Sequence, residues 1–457
     1  MSLIDRIAFV SFVLILTTMS VVRSAEDVAP VQHDNPKVLE STGTNVRQQE
    51  KICDDYLVVE LTTITHNWWM MKLSGVQGKS LTIGFNMVGK GNVSKWVPLQ
   101  PVYTYADPNK LSAYEWFAKD STSGQWRSGN ALLPDDQRHA GDGKSPRQSV
   151  ISQESAEEFL SQNGSYWEPW GRITKTEVAA NLNIFRMTTP TFSQDEVWIA
   201  MRYPFTYELL QDYINVLYEK RSQNFVIKTI GQTAEKRDLW AIEVKTSRFF
   251  LQNPMTLLVY AREHATEPDG SWAILGMLNA VLDGTLEKWP RLVLLPMVDP
   301  DGVAKHRYEG MIRTFGAAQS SPESSALQAY MQSMARDGKR PYISISLHNV
   351  ESNEADNIWM PHADYQRGWA IKPINARIEQ FAKKNGYTFT NREPEWTFQG
   401  NRFEGWLSRK LGCVDLVYEL NSQAKNRLTL QRLQEMGALM VKACDEKLQD
   451  GWFDHAQ

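Results

Sequence analysis

The chain has 457 residues, 42% of them hydrophobic, with 49 basic and 53 acidic side chains and a formal net charge of −4. That length exceeds what one hydrophobic core usually holds, so two domains are expected. A slightly acidic balance without a long basic run points away from nucleic acid and from stable association with an anionic membrane, and the three cysteines, Cys53, Cys413 and Cys444, exclude a disulfide scaffold because at most one bridge can form among them.

The first 24 residues read as a signal peptide. Arg6 lies in a short polar start, residues 7–22 are apolar, and Val22 and Ser24 suit a small-residue cleavage site before Ala25. The apolar run is too short and interrupted for a membrane span, so a secreted or periplasmic protein is expected. Residues 25–50 are polar without periodicity and read as a flexible lead-in. Residues 51–195 carry short alternating runs, such as Leu57-Val58-Val59-Glu60-Leu61 and Leu81-Thr82-Ile83-Gly84-Phe85, as a β-sandwich would. Several of the sixteen tryptophans lie here; most read as core, and lining of a binding face is the alternative for some. The polar stretch 118–149 reads as a long surface loop.

From residue 200 to 450 the pattern changes to alternating strands and helices. Helices are predicted at 207–219, 271–282, 324–336, 374–385 and 428–448, and strands at 225–231, 239–245 and 255–260. The strand at 255–260 is followed by His264 and Glu267, three residues apart. Pro268 and Gly270 then break the chain before an apolar helix begins near Trp272. The turn after a buried strand is where α/β sheets carry their chemistry, and one imidazole with one carboxylate is two-thirds of a His₂Glu zinc set. A further apolar run ends in the turn Asp299-Pro300-Asp301-Gly302. Next, Ile343, Ile345 and Leu347 alternate with Ser344 and Ser346, a strand that delivers His348 at its end. A last run through Val417 and Tyr418 ends on Glu419.

Each of these residues has an ordinary reading taken alone. A strand-end histidine is usually structural, Glu267 suits the first turn of a helix, and Glu419 suits a paired strand-end acid. Their order reverses that judgement. The set resembles the M14 zinc carboxypeptidases, whose pattern is a strand followed by His-x-x-Glu, an Asn-Pro-Asp-Gly-like turn, a strand ending in the second histidine, and a strand ending in the catalytic glutamate. The closest likeness is to the cytosolic-carboxypeptidase branch. Tyr203-Pro204-Phe205-Thr206-Tyr207 resembles the segment before that branch's catalytic domain, and residues 68–87 resemble its small N-terminal β-domain. The resemblance spans residues 50–445. It implies an α/β fold with a mixed central sheet flanked by helices, preceded by a small β-sandwich. It also implies one Zn²⁺ per chain on His264, Glu267 and His348, Glu419 as general base, and peptide substrates cleaved at their C-terminal end.

The chain departs from that family in one place. The resembled proteins carry Asp-x-Asn-Arg after the Pro-Asp-Gly turn to grip the terminal carboxylate, whereas Ala317-Ala318-Gln319-Ser320-Ser321 stands here. Arg313 is the better-spaced candidate for the oxyanion electrophile, and Arg307 a candidate for substrate binding; a solvated surface charge is the plain alternative for both. The missing anchor keeps a zinc amidase, deacylase or endopeptidase open. A catalytically silent binding protein is disfavoured because all four central residues are intact. For specificity, Arg402 facing the side-chain pocket would favour acidic residues and Glu404 basic ones. The reading leans to Arg402, against the alternative that both are surface charges flanking a buried Phe403 and Trp406.

Overall fold

Two kinds of hydrophobic pattern divide the chain, and they fold differently. The computed structural model of the protein describes residues 35–39, 46–61, 68–86, 101–105, 169–173, 184–189, 191–220, 224–246, 255–282, 284, 286, 289–307, 314–317, 319–349, 357–361, 368–384, 389–391, 402–421 and 430–449. The expected signal peptide, the loop at 118–149 and Arg313 lie outside these. The parts expected over 51–195 and 200–450 belong to one compact unit, residues 35–457.

In the N-terminal part, strands β1 (Lys37–Leu39), β4 (Met70–Ser74), β9 (Val197–Ala200) and β6 (Val102–Thr104) form one sheet in the order β1-β4-β9-β6. Strands β2 (Val46–Cys53), β3 (Tyr56–Leu61), β5 (Thr82–Asn86), β8 (Ile184–Thr188) and β7 (Pro169–Ile173) form another in the order β2-β3-β5-β8-β7. Because side chains alternate along a strand, Leu57, Val59 and Leu61 from one sheet meet Met71, Leu73, Val197 and Ile199 from the other in a shared core. The opposite face of the first sheet gathers Trp68, Met70, Trp198 and Ala200 into a second apolar patch. From it the Trp68 indole N–H donates to His306 Nδ1 at 2.9 Å, joining the sandwich to the C-terminal part.

Residues 37–39 and 46–50 fall in the stretch expected to be a flexible lead-in, yet they are strands. A turn at Asp54 and Asp55 folds β2 back onto β3, with the Lys51 ammonium on Asp54 at 2.8 Å. The outward side chains pair instead of packing: Arg47 and Gln49 donate to Glu60 at 2.5 and 2.7 Å. Val46 is buried in the shared core, and Val38 packs against it. With so few apolar positions, such an edge strand has no period-2 signal to read.

The C-terminal part is built on an eight-stranded mixed sheet. Its strands are β10 (Phe225–Gln232), β11 (Asp238–Val244), β12 (Thr256–Ala261), β13 (Arg291–Leu295), β14 (Pro341–Asn349), β15 (Asn357–Pro361), β16 (Phe389–Asn391) and β17 (Val414–Leu420). They lie in the order β10-β11-β13-β12-β14-β17-β15-β16. The central strands β13, β12, β14 and β17 are parallel, and β11 and β15 flank them antiparallel. The helices are α1 (Tyr207–Lys220), α2 (Asp269–Leu282), α3 (Pro300–Ala304), α4 (Pro322–Arg336), α5 (Gly368–Lys384), α6 (Phe403–Leu411) and α7 (Leu430–Gln449). They cover both faces, so central strands read as continuous apolar runs. In β12, Leu257, Val259 and Ala261 pack with α1, α2, α5 and α7, while Leu258 and Tyr260 pack with α4 and α6.

Helices α2 and α7 touch through glycine. A Cβ placed on Gly276 would lie 2.2 Å from the Gln434 carbonyl oxygen, and one on Gly437 would lie 2.0 Å from that of Ala273. Neither position admits a side chain without separating the helices.

Candidate metal centre

The sheet brings the C-terminal ends of β12, β14 and β17 side by side, and each delivers a singled-out residue. After β12 the chain turns sharply at Arg262, which takes a positive φ of 70°. Few residues other than glycine adopt that conformation without tertiary restraint. Here the buried guanidinium supplies the restraint: it donates to the Ala265 carbonyl at 2.6 Å, to the Phe205 carbonyl, and to Ser271 Oγ at 3.2 Å. Burial lowers its pKa to about 9, against the pull of Asp269, Glu267 and Asp299. The turn then closes with Glu267 N–H donating to the His264 carbonyl at 3.2 Å, which puts both side chains on one side.

His348 reaches the same place from β14. The ligand-capable atoms of His264, Glu267 and His348 all lie within 4.8 Å of one another. Glu267 spans the two rings, with Oε1 2.9 Å from His264 Nδ1 and Oε2 2.8 Å from His348 Nδ1. The two Nδ1 atoms are 3.2 Å apart. Glu267 and His348 are buried, and His264 is partly exposed. Burial works against both charges. Even so, the two histidines hold the Glu267 carboxyl well below its ordinary range, and the Glu267 carboxylate, with help from Glu419 and Glu263, pushes His348 up to about 10. Two imidazole nitrogens and a carboxylate converging at one buried point is the donor chemistry of a three-ligand zinc site, so these residues fit that ion. Glu419 sits directly opposite His348 in the parallel β14–β17 register, half-buried.

Comparison with known proteins bears on this arrangement. Residues 210–317 match the zinc carboxypeptidase (M14 peptidase) family. Mouse cytosolic carboxypeptidase 6 is 23% identical over 237 residues, covering 47% of this chain and 43% of that protein. Mouse cytosolic carboxypeptidase 3 is 27% identical over 126 residues, covering 25% and 12% respectively. The chain thus matches less than half the length of either relative. A metallo-carboxypeptidase from Burkholderia cenocepacia superposes with a TM-score of 0.64 at 13% identity, over 91% of this chain and all of that one. Residues 210–317 are thus similar to the M14 zinc carboxypeptidases, and the described fold is the one that the solved metallo-carboxypeptidase has. A second structure, a metallo-carboxypeptidase from Pseudomonas aeruginosa, has the same fold with a TM-score of 0.57 at 14% identity, covering 89% of this chain and 98% of that one.

Around His264, Glu267 and His348 the other singled-out residues take distinct places. The Asp299-Pro300-Asp301-Gly302 turn starts α3, and the Asp299 carboxylate accepts from Gly302 N–H at 2.8 Å. Burial, with Glu323 and Asp301 adding to it, raises Asp299 to about 6. Asp301 is held by Thr233 Oγ1 and by Arg237, each at 2.7 Å, so the turn is anchored to the β10–β11 connection. Arg307, just beyond α3, is exposed, and its backbone N–H donates to Gly302. Arg402 occupies the position before α6 without a side-chain capping hydrogen bond; its side chain is 26% exposed, and Nη1 lies 3.9 Å from the Glu404 carboxylate. Glu404 is not a surface charge: it is 2% exposed, between buried Phe403 and Trp406.

Sequence reasoning missed four residues at this centre. Glu263, 1% exposed, accepts from Phe403 N–H at 3.0 Å and brings Oε2 to 3.9 Å from His348 Nε2. Burial, reinforced by Glu404, pushes its pKa well above the ordinary carboxyl range. Asn349 donates its backbone N–H to Glu267 Oε2 at 3.3 Å. Arg202 and Asp269, both fully buried, form an ion pair at 3.3 Å. Adjacency to His264 and His348 was a usable signal for Glu263 and Asn349; nothing local marked Arg202 as buried.

Proposed function

We propose that this protein is a zinc metallocarboxypeptidase that removes C-terminal residues from peptides. The observation that carries the reading is the convergence of His264, Glu267 and His348 at the ends of β12 and β14, with Glu419 opposite His348 on β17. Those three residues would hold one Zn²⁺. When bound, the ion supplies a Lewis acid and a water whose pKa falls to about 7. Glu419 is the general base: its carboxylate takes a proton from the attacking water and returns it to the leaving amine. Its half-buried position leaves it reachable by water, unlike the enclosed Glu263 and Glu404.

Cationic groups complete the proposal. Arg313 stabilises the developing oxyanion, and exposed Arg307 meets the substrate. Of the two specificity candidates, Arg402 is the accessible one and Glu404 is enclosed, which supports a preference for acidic residues. The test is zinc content together with hydrolysis of matched peptides bearing a free or an amidated C-terminus. Release of C-terminal residues from the free form alone supports a carboxypeptidase. A zinc amidase or endopeptidase is the second reading, favoured by Ala317-Ala318-Gln319-Ser320-Ser321 where the family has its carboxylate anchor. Equal cleavage of the amidated peptide would establish it instead.

A further inference from the structure

We propose that Asn349 is a positioning residue that locks the ligand Glu267 and the strand end bearing Glu419 onto the buried Arg202–Asp269 ion pair. The proposal rests on the zinc reading of the site. Asn349 follows His348 at the last position of β14 and is 3% exposed. Its hydrogen-bonding groups go to two separate pieces of chain, the 267–269 turn and the end of β17. The backbone N–H donates to Glu267 Oε2 at 3.3 Å, Nδ2 donates to the Leu420 carbonyl at 3.3 Å, and Oδ1 accepts from Asp269 N–H at 3.2 Å.

The amide is suited to this junction because one side chain offers both a donor and an acceptor. Asp269 N–H is one of the first-turn donors of α2 that have no partner within the helix, and Leu420 is the residue after Glu419. One planar group therefore sets the separation between the start of α2 and the end of β17. It also fixes the peptide whose N–H binds Glu267, and ligand carboxylates held by such outer hydrogen bonds keep their orientation toward a metal.

The far end of this junction is anchored outside the sheet. The Asp269 carboxylate pairs with Arg202 at 3.3 Å, both groups being fully buried. Arg202 lies two residues beyond β9, and the intervening Met201 donates its N–H to the Trp69 carbonyl at 2.9 Å. A continuous line of contacts thus runs from the sandwich through Arg202, Asp269 and Asn349 to Glu267. Asn349 is uncharged, so it is the member that can be altered without removing a charge from the buried Arg202–Asp269 pair.

The experiment uses the full chain and titrates zinc against a competing chelator, with the melting temperature of the zinc-free protein measured in parallel. Asn349→Ala is expected to weaken zinc binding roughly tenfold or more, within the range usual for outer-sphere partners. Asn349→Ser keeps an acceptor for Asp269 N–H but cannot also reach Leu420. It is expected to weaken zinc binding less and to lower kcat with little change in KM. A lower melting temperature with unchanged zinc affinity in both variants would mean a purely structural role and would overturn the proposal. Should the alanine variant not fold, the serine variant decides by the same titration. Failure of the unaltered protein to bind zinc would instead remove the zinc reading itself, and this proposal with it.

Discussion

His348 and Glu419 lie directly opposite each other on the parallel strands β14 and β17. Neighbouring strands are about 4.8 Å apart, so a candidate metal ligand and a candidate general base occupy adjacent positions at the C-terminal ends of two central strands. The half-buried Glu419 charge also acts on His348, helping to raise its pKa. Replacing Glu419 with Gln preserves shape and removes the proton acceptor. Zinc content should stay at one per chain, while turnover falls by about 10²-fold or more. Parent-level activity in Glu419→Gln would move the base elsewhere.

The ligand set makes a separate prediction. His264→Ala and His348→Ala each remove one of three donors, so metal analysis of the purified variants should show zinc lost and circular dichroism should show the fold largely kept. Stoichiometric zinc in His348→Ala would disprove the site.

The ion pair within the site gives the zinc-free protein a pH signature. His348 is raised from 6.5 to about 10, so its contribution to stability is fully present below 6.5 and is lost as pH rises through 10. Glu267 is depressed, so its contribution is present above its ordinary 4.5 and is lost as pH falls through its lowered value. Melting temperature measured across this range should therefore fall from pH 6.5 toward 10. Zinc must displace the His348 proton, so apparent affinity should climb about tenfold per pH unit below pH 10. A flat affinity profile would contradict the pairing of Glu267 with His348.

Specificity can be read from a peptide library with acidic, basic and apolar C-termini. Arg402, 26% exposed beside enclosed Glu404, predicts that acidic residues are preferred and that Arg402→Glu reverses the preference. A clear preference for apolar residues would leave Arg402 only its place at the start of α6.

The close approach of α2 and α7 is testable through stability alone. Gly437→Ala would put a methyl group 2.0 Å from the Ala273 carbonyl oxygen, and overpacking of that kind costs about 1–3 kcal/mol or more. Urea unfolding should show the loss. An unchanged midpoint would mean that the helices part easily.

What could be read from the sequence was whatever depends on near neighbours. Apolar runs ending at Tyr260, His348 and Glu419, and the three-residue spacing of His264 and Glu267, are local features, because strand and helix periodicities repeat within a few residues. They were enough to mark the strand ends and the resemblance to the M14 carboxypeptidases. Tertiary structure decided the rest, because burial and charge are set by groups distant along the chain. His264 and His348 are 84 residues apart and meet only because β14 lies beside β12. Arg202 and Glu404 look like ordinary surface charges in the sequence, yet packing encloses both beneath the site. The polar strand β2 became visible only through its pairing with β3, since a strand held by cross-strand hydrogen bonds needs no hydrophobic period of its own.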